Sequence, residues 1–211
     1  RREHEPARSR STIGCDMLKG LIPLIRRGLQ ANDPKTALVS LVESYEKQGI
    51  REHGQNSGPM VEFFQVDGGG TGRPAPWCAY FVSSCLRTMS RCGFTVRNPG
   101  ATGRAVALWQ KAEPSQQVER EDIFKHKDPR GLVFVRTRMS NGVDDRSRAR
   151  QGDKVQGHTG IVTHVEGSSV YAIAGNSVGG QHARTTGAVA CEVMVRDSPA
   201  WDRLVGFVEV V

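Results

Sequence analysis

The chain has 211 residues, of which 37% are hydrophobic and 24% are charged. That length suits one domain with an extension, and the hydrophobic content is sufficient for a packed core, which excludes a globally disordered chain. No apolar run approaches the roughly 18 residues that a membrane span needs. Lysine and arginine total 29 against 22 acidic residues, and the net charge of +7 is typical either of an anionic partner or simply of solvated polar loops.

The five cysteines form an odd set, so at least one thiol has no disulfide partner within a monomer. The sequence has no Cys-x-x-Cys pair and no cysteine and histidine at zinc-finger spacing, so we expect no zinc site. Cys78, Cys85 and Cys92 are spaced seven residues apart, on one stripe of any helix that carries them. Each such step rises about 10.5 Å along a helix, too far for a disulfide between neighbours.

Residues 1 to 35 are rich in basic and polar side chains and are predicted to form a linker or an extension. The rest, residues 36 to 211, is predicted to be one domain. Asp33 followed by Pro34 is typical of a helix start, because Asp caps free N–H groups and Pro fits the first turn. We predict that this helix covers Lys35 to Gln48.

Further helices follow in the first half of this domain. A short helix is predicted to begin near Pro59, and a later one covers Thr102 to Ala112. The most regular helical pattern runs from Cys78 to Arg91, where apolar residues recur on one broad face.

From Leu132 onward the pattern changes to short β strands separated by turn residues. Helices first and strands afterwards predict an α+β fold with an antiparallel sheet of about five strands. The polar, arginine-rich stretch 139 to 156 is predicted to be a loop inserted between the first two strands. The predicted strands are Leu132 to Val135, Thr159 to Val165, Val170 to Ile173, Val189 to Val195 and Leu204 to Val210.

Cys78 is the candidate nucleophile because it follows Pro76 and Trp77 directly, at the first turn of its predicted helix. Unpaired N–H groups and the positive end of the helix dipole stabilise a thiolate there. The same N–H groups can bind a developing oxyanion. An ordinary half-buried cysteine is the alternative interpretation.

His158 is the candidate general base among six histidines, since it lies between Gly157 and Gly160 at the start of a predicted strand. His164 is six residues further on, and strict alternation along a strand places both side chains on one face. It is therefore the competing candidate. The other four histidines lie in the basic tail or in loops.

A third group has to orient the imidazole through its second nitrogen. Asn176 follows the next predicted strand, in Ala-Gly-Asn-Ser. If the two strands form a hairpin, Asn176 lies beside the start of the strand that carries His158. A simple turn residue is the alternative interpretation.

Three sequence blocks together resemble the CHAP group of the NlpC/P60 superfamily, which are papain-like cysteine peptidases and amidases. The resemblance covers about residues 36 to 211, and the first two blocks in this order are more specific than either alone. The blocks are Pro76-Trp77-Cys78-Ala79-Tyr80-Phe81-Val82, Gly157-His158-Thr159-Gly160-Ile161-Val162 and Ala174-Gly175-Asn176.

This resemblance implies a papain-like fold with N-terminal helices packed on the sheet, Cys78 as nucleophile, His158 as base and Asn176 as the orienting residue. It implies no metal or organic cofactor. Many members have a glutamate two residues before the asparagine, where this chain has Ala174, so the orienting role is left to Asn176 alone.

The substrate implied by the resemblance is peptidoglycan or its stem peptides, cut as an N-acetylmuramoyl-L-alanine amidase or as an endopeptidase. A secreted or injected lysin or antibacterial toxin, acting in the cell wall or periplasm with an inhibitory or delivery protein, fits that substrate. No signal peptide is visible in the sequence. A cysteine protease or deamidase acting on proteins and a non-catalytic wall-binding module are the alternatives. A nucleic-acid partner is not expected, since no aromatic residues lie among the arginines.

Overall fold

The structure, a computed structural model, describes residues 33–99, 102–138, 145–177 and 187–211. Most of the predicted extension, up to residue 32, lies outside the described residues. The helices are α1 (Pro34–Lys47), α2 (Pro59–Asp67), α3 (Cys78–Arg91), α4 (Ala105–Lys111), α5 (Asp145–Arg150) and α6 (Pro199–Asp202). The strands are β1 (Gln117–Val118), β2 (Val133–Thr137), β3 (Gly157–Glu166), β4 (Ser169–Ser177), β5 (Ala188–Val195) and β6 (Leu204–Val208).

Helix α1 begins at the residues that the capping pattern predicts. The side chain of Asp33 accepts a hydrogen bond from the backbone N–H of Lys35 at 3.1 Å, and Pro34 occupies the first turn. Gly49, just after the helix, has a φ of +63°, a left-handed conformation that glycine adopts without steric cost. The helix therefore ends where the sequence predicts.

The sheet is antiparallel throughout and has the strand order β1-β6-β2-β3-β4-β5. This confirms the predicted α+β fold class with an antiparallel sheet. The sixth strand is the edge strand β1, which pairs Gln117 with Val208 and Val118 with Phe207. Two residues are too few to show the alternation by which a strand is recognised in a sequence.

Each face of the sheet contributes to a buried core, and strand β2 supplies residues to both cores. Val133 and Val135 belong to the core under helices α1 to α4, whereas Phe134 belongs to a second core on the opposite face. Side chains alternate between faces along a strand, so three consecutive apolar residues supply two cores. The 3₁₀ segment Arg120–Lys125 and helix α6 contribute Ile123 and Trp201 to the second core.

The inserted stretch 139 to 156 is not wholly a loop. Helix α5 covers Asp145 to Arg150, and Asp145 and Ala149 are buried. Arg148 pairs with Asp145 at 3.0 Å and with Asp153 at 3.0 Å, so local ion pairs hold this helix. Residues 139 to 144 lie outside the described residues.

Helices α1 and α3, each of 14 residues, are the longest in the described part of the chain. No helix in that part is long and apolar enough to cross a membrane.

Candidate active site

Cys78 is the first residue of helix α3, as predicted, and its side chain is buried with 3% exposure. The first intrahelical hydrogen bond joins the N–H of Phe81 to the carbonyl of Trp77 at 2.8 Å. The N–H groups of the preceding residues in the helix have no such acceptor, which is general for the first turn of a helix. The thiol therefore lies at the positive end of the helix, where a thiolate is favoured.

Trp77 fixes the start of helix α3 against its surroundings. Its indole Nε1–H donates a hydrogen bond to Oε1 of Glu52 at 2.7 Å, and its ring stacks on Phe64 at 5.9 Å. Glu52 is tied in turn to the sheet, because its backbone N–H donates to the carbonyl of Gly187 at 2.8 Å. A fully buried ring with a satisfied polar atom holds the adjacent Cys78 in one position.

His158 lies on strand β3 with 3% exposure, and its Nε2 is 2.8 Å from Oε1 of Glu192. Its other ring nitrogen, Nδ1, is buried and has no hydrogen-bond partner in the described part of the chain. Interaction with the Cys78 thiol affects the pKa of both residues. Because Glu192 occupies Nε2, we infer that Nδ1 is the nitrogen that serves the thiol.

Glu192, on strand β5, has a side chain that is only 9% exposed and is held by two further groups. The hydroxyl of Ser177 donates to its Oε1 at 2.6 Å, and the guanidinium of Arg136 lies 2.9 Å from its Oε2. Arg136 is in turn paired with His158 across strands β2 and β3. A buried carboxylate with a cation and a hydroxyl donor is stabilised in its charged form.

The pKa shifts of Cys78 and His158 both favour the charged forms of these residues, which together would make an ion pair. Burial alone raises the pKa of the Cys78 thiol, but interactions with His158 and with Arg138 outweigh it and lower that pKa below its usual value. Burial alone lowers the pKa of His158, but interactions with Cys78 and Glu192 outweigh it and raise the pKa to about 9. Both shifts favour a thiolate beside an imidazolium.

The pKa of Glu192 is shifted in the complementary direction. Burial raises it, but the hydrogen bond to His158, the positive charges of His158 and Arg136 and the hydroxyl of Ser177 together lower it to about 2. The Glu192 carboxylate therefore remains ionised at any pH at which Cys78 and His158 form an ion pair.

Asn176, the predicted orienting residue, does not reach His158. Strands β3 and β4 do form the predicted hairpin, but the pairing of β4 with β5 is irregular between Ala174 and Ser177. Asn176 has a left-handed φ of +55°, and its side-chain amide donates to Oδ1 of Asn56 at 3.4 Å. The structure gives the position beside His158 to Glu192 instead.

The competing histidine lies away from the thiol. The pairing of β3 with β4 shifts between Val162 and His164, so the strict alternation expected between His158 and His164 does not hold. His164 is exposed, and its ring stacks on Tyr171 at a centroid distance of 4.2 Å. His4 and His182 lie outside the described residues.

The other cysteines of helix α3 lack the environment of Cys78. Cys85 is fully buried in the apolar core, and burial raises the pKa of its thiol well above the usual value. Burial also raises the pKa of Cys92, at the far end of the helix. Both are free thiols, as the seven-residue spacing predicts.

A cleft of about 360 Å³ gives access to Cys78. Three cationic side chains line it, and no acidic residue of the described chain does. Its lining residues are Pro76, Cys78, Gly103, Arg104, Ala105, Arg138, Lys154, Val155, Gln156 and Gly157.

Sequence reasoning missed Glu192, Arg136 and Ser177. Arg136 in Val-Phe-Val-Arg-Thr and Glu192 in Ala-Cys-Glu-Val-Met are charged residues inside otherwise apolar strands. A charge at such a position is costly unless it is paired, so opposite charges inside two otherwise apolar strands indicate that the two side chains pair with each other. That signal was available, but it does not reveal which histidine the pair serves.

The described residues contain no group of histidine, cysteine and acidic side chains that could hold a metal ion. The site is a Cys-His-Glu arrangement at a helix N-terminus, with a thiolate as the candidate nucleophile. No protein-family model, curated protein or solved structure matches the chain.

Proposed function

We propose that the chain is a cysteine-dependent amide hydrolase in which Cys78 is the nucleophile, His158 the general base and acid, and Glu192 the group that orients His158. The observation that carries this proposal is the buried contact of His158 Nε2 with Glu192, which leaves Nδ1 for a thiol of lowered pKa at a helix N-terminus. Nucleophile, base and orienting acid in that order form a catalytic triad.

The chemistry is acyl transfer in two halves. The Cys78 thiolate adds to the amide carbonyl, and the backbone N–H of Cys78 at the start of helix α3 stabilises the oxyanion. Protonated His158 gives its proton to the leaving amine, so the C–N bond breaks and a thioester forms. His158, now neutral, takes a proton from water as the water attacks the thioester, which releases the carboxylic acid and restores the thiolate.

Peptidoglycan is the substrate that we propose, cut at the bond between muramic acid and L-alanine or within the stem peptide. The resemblance of the Pro76 to Val82 and Gly157 to Val162 blocks to the CHAP group supports it, as does a net charge of +7 beside an anionic wall. A papain-like NlpC/P60 fold belongs to the same proposal. It is compatible with an antiparallel sheet that supplies the base to a cysteine at a helix start.

In that family glutamate frequently lies two residues before the asparagine, where this chain has Ala174. We propose that Glu192, from the neighbouring strand β5, supplies the missing carboxylate. The place of action that follows is the cell wall or periplasm, reached by secretion or injection, with an inhibitory or delivery protein as a possible partner.

The test is digestion of purified sacculi by wild type and by Cys78→Ala, with the products read by mass spectrometry. We expect soluble fragments from wild type and none from the variant. The fragment masses distinguish amidase from endopeptidase cleavage. Cys92→Ala, which removes a free thiol at the other end of helix α3, is the matched control and should digest sacculi as wild type does.

Folded wild type that leaves several wall types intact but cleaves or deamidates a protein such as casein would contradict the wall substrate and keep the chemistry. Activity retained in Cys78→Ala would contradict the chemistry itself. Binding of sacculi without cleavage, together with a Cys78 that does not react with iodoacetamide at neutral pH, would leave a non-catalytic module.

A further inference from the structure

The positive charge of this protein is unevenly neutralised. The arginine-rich stretch of helix α5 is largely paired, since Arg148 contacts Asp145 and Asp153, and Arg150 contacts Glu119 at 2.5 Å. Charges in that stretch are therefore satisfied within the protein and have no need of an external anion.

The cleft beside Cys78 is different. Arg104, Arg138 and Lys154 all line it, and none of the three has an ion-pair partner among the residues that the structure describes. They come from three separate places in the sequence: just before helix α4, just after strand β2 and just before strand β3. Convergence of three unpaired cations on one concave surface creates a local positive potential.

The cleft walls are held by backbone contacts, so the cations do not depend on side-chain packing alone for their position. The N–H of Arg138 donates to the carbonyl of Gln156 at 2.9 Å, which joins two of the lining segments. The N–H of Arg104 donates to the hydroxyl of Thr102 at 3.1 Å. Arg138 is also close enough to Cys78 to lower the pKa of its thiol.

We propose that this cleft binds a carboxylate of the substrate through Arg104, Arg138 and Lys154, so that the preferred scissile amide lies beside a carboxylate. The proposal rests on the amide-hydrolase function proposed above and adds a substrate class to it. A thiolate that attacks next to a carboxylate meets charge repulsion, and the three cations offset it. The guanidinium fork of arginine matches the two oxygens of a carboxylate.

The test compares the rates at which iodoacetate and iodoacetamide alkylate Cys78, quantified on the Cys78 peptide by mass spectrometry. In both reactions the thiolate sulfur attacks the methylene carbon and iodide leaves, but only iodoacetate carries a carboxylate. The ratio of the two rate constants therefore reports the attraction of a carboxylate to the cleft. The thiolate fraction and the charge of His158 enter both rates, so a comparison of variants at one pH isolates the cations.

The informative variant is Arg104→Gln/Arg138→Gln/Lys154→Gln, for which we expect the iodoacetate to iodoacetamide ratio to fall by about three- to tenfold. Added salt should lower the wild-type ratio and have less effect on the variant's. The matched control is Lys47→Gln/Lys111→Gln/Lys127→Gln, which removes the same charge from exposed positions outside the cleft. Its ratio should remain that of wild type.

An unchanged ratio in the cleft variant, or an equal fall in the control, would overturn the carboxylate site and leave the proposed hydrolase intact. A Cys78 in folded wild type that reacts with neither reagent would overturn the proposed function, and this inference with it. The source of the carboxylate is distinguished by two competitors, each tested for its ability to slow the alkylation of Cys78 by iodoacetamide. N-acetyl-alanine carries only an α-carboxylate, and N-acetyl-glutamate α-amide carries only a side-chain carboxylate.

Discussion

At the scale of single residues, the site is a row of alternating charges. Arg136 contacts Glu192, Glu192 contacts His158, and His158 interacts with Cys78. Cys78 and His158 are buried, and the side chains of Arg136 and Glu192 are 19% and 9% exposed. Each member has an opposite charge beside it, so each one stabilises the charged form of the next. The thiolate at the end of this row therefore depends on a carboxylate that it does not touch.

Glu192→Gln tests that dependence. The substitution keeps the shape of the side chain but removes its negative charge, so the pKa of His158 should fall from about 9 and the pKa of Cys78 should rise. At neutral pH the iodoacetamide rate at Cys78 should fall, because a higher thiol pKa leaves a smaller fraction of the thiol as thiolate. Hydrolysis should drop by about 10²-fold.

Asn176→Ala is the companion to that variant. Because Asn176 contacts Asn56 and not His158, its alkylation profile against pH should match that of wild type. The opposite pattern, with Asn176→Ala slow and Glu192→Gln fast, would restore Asn176 as the orienting residue.

Cys78 and His158 could be assigned to one site from the sequence. A cysteine at the first turn of a helix and a histidine between glycines at the start of a strand are both local patterns. The sequence was not sufficient for Glu192. Its approach to His158 depends on the curvature and irregular pairing of strands β3, β4 and β5, which no local pattern encodes. Asn176 had the right place in the chain, but its left-handed backbone turns its side chain toward Asn56.

At the scale of elements, the contact between helix α3 and strand β4 sets the position of the nucleophile. Gly175 lies directly under the helix start: a Cβ atom there would be 2.5 Å from Cζ3 of Trp77 and 2.7 Å from Cβ of Phe81. Any side chain at position 175 has to move the ring of Trp77 or the start of helix α3. Because Cys78 directly follows Trp77, the thiol would move as well.

Gly175→Ala should therefore reduce the free energy of unfolding by about 1–3 kcal/mol, as overpacking of a core does. It should also slow the alkylation of Cys78, since the thiol shifts relative to His158. Urea unfolding measures the first effect and iodoacetamide labelling the second. Gly54→Ala is the control, because its new methyl group would meet only the side-chain oxygen of Ser57, at 3.0 Å. Wild-type stability in Gly175→Ala would show that the helix start does not rest on this glycine.

Elements with strong periodicity were predicted closely, and helix α3 has the predicted bounds, Cys78 to Arg91. Weakly patterned elements were not. Strand β1 has only two residues, and helix α5 lies in a polar stretch that is held from outside: Gln110 donates to the carbonyl of Ala149, and Arg150 pairs with Glu119. Such tertiary contacts outweigh the local propensity from which a loop was predicted.

At the scale of the whole molecule, the charge row links the stability of the fold to pH. The pKa of Glu192 in the folded protein, about 2, is below its ordinary value of 4.5. A lowered pKa contributes stability that is fully present above pH 4.5 and is lost as the pH falls through about 2. The groups that face the carboxylate and produce this effect are His158, Arg136 and Ser177.

Between about pH 6 and about pH 3, wild type should thus lose about 2 kcal/mol more stability than Glu192→Gln, because this range ends above the folded pKa of Glu192. Urea unfolding of both proteins from about pH 6 to about pH 3 measures the difference between their free energies of unfolding. That difference should shrink steadily as the pH falls. A constant difference would mean that the carboxylate is not selectively stabilised in the folded state.

The order of the site residues along the chain also has a consequence for biosynthesis. Translation delivers Cys78 first, His158 much later and Glu192 last, because β5 follows β4 in the sequence. A ribosome-bound chain from which β5 has not yet emerged lacks the carboxylate that lies beside His158 in the folded protein. If Cys78 acts as we propose, its activation is coupled to completion of the polypeptide, and the growing chain is inert toward amide bonds during most of its synthesis.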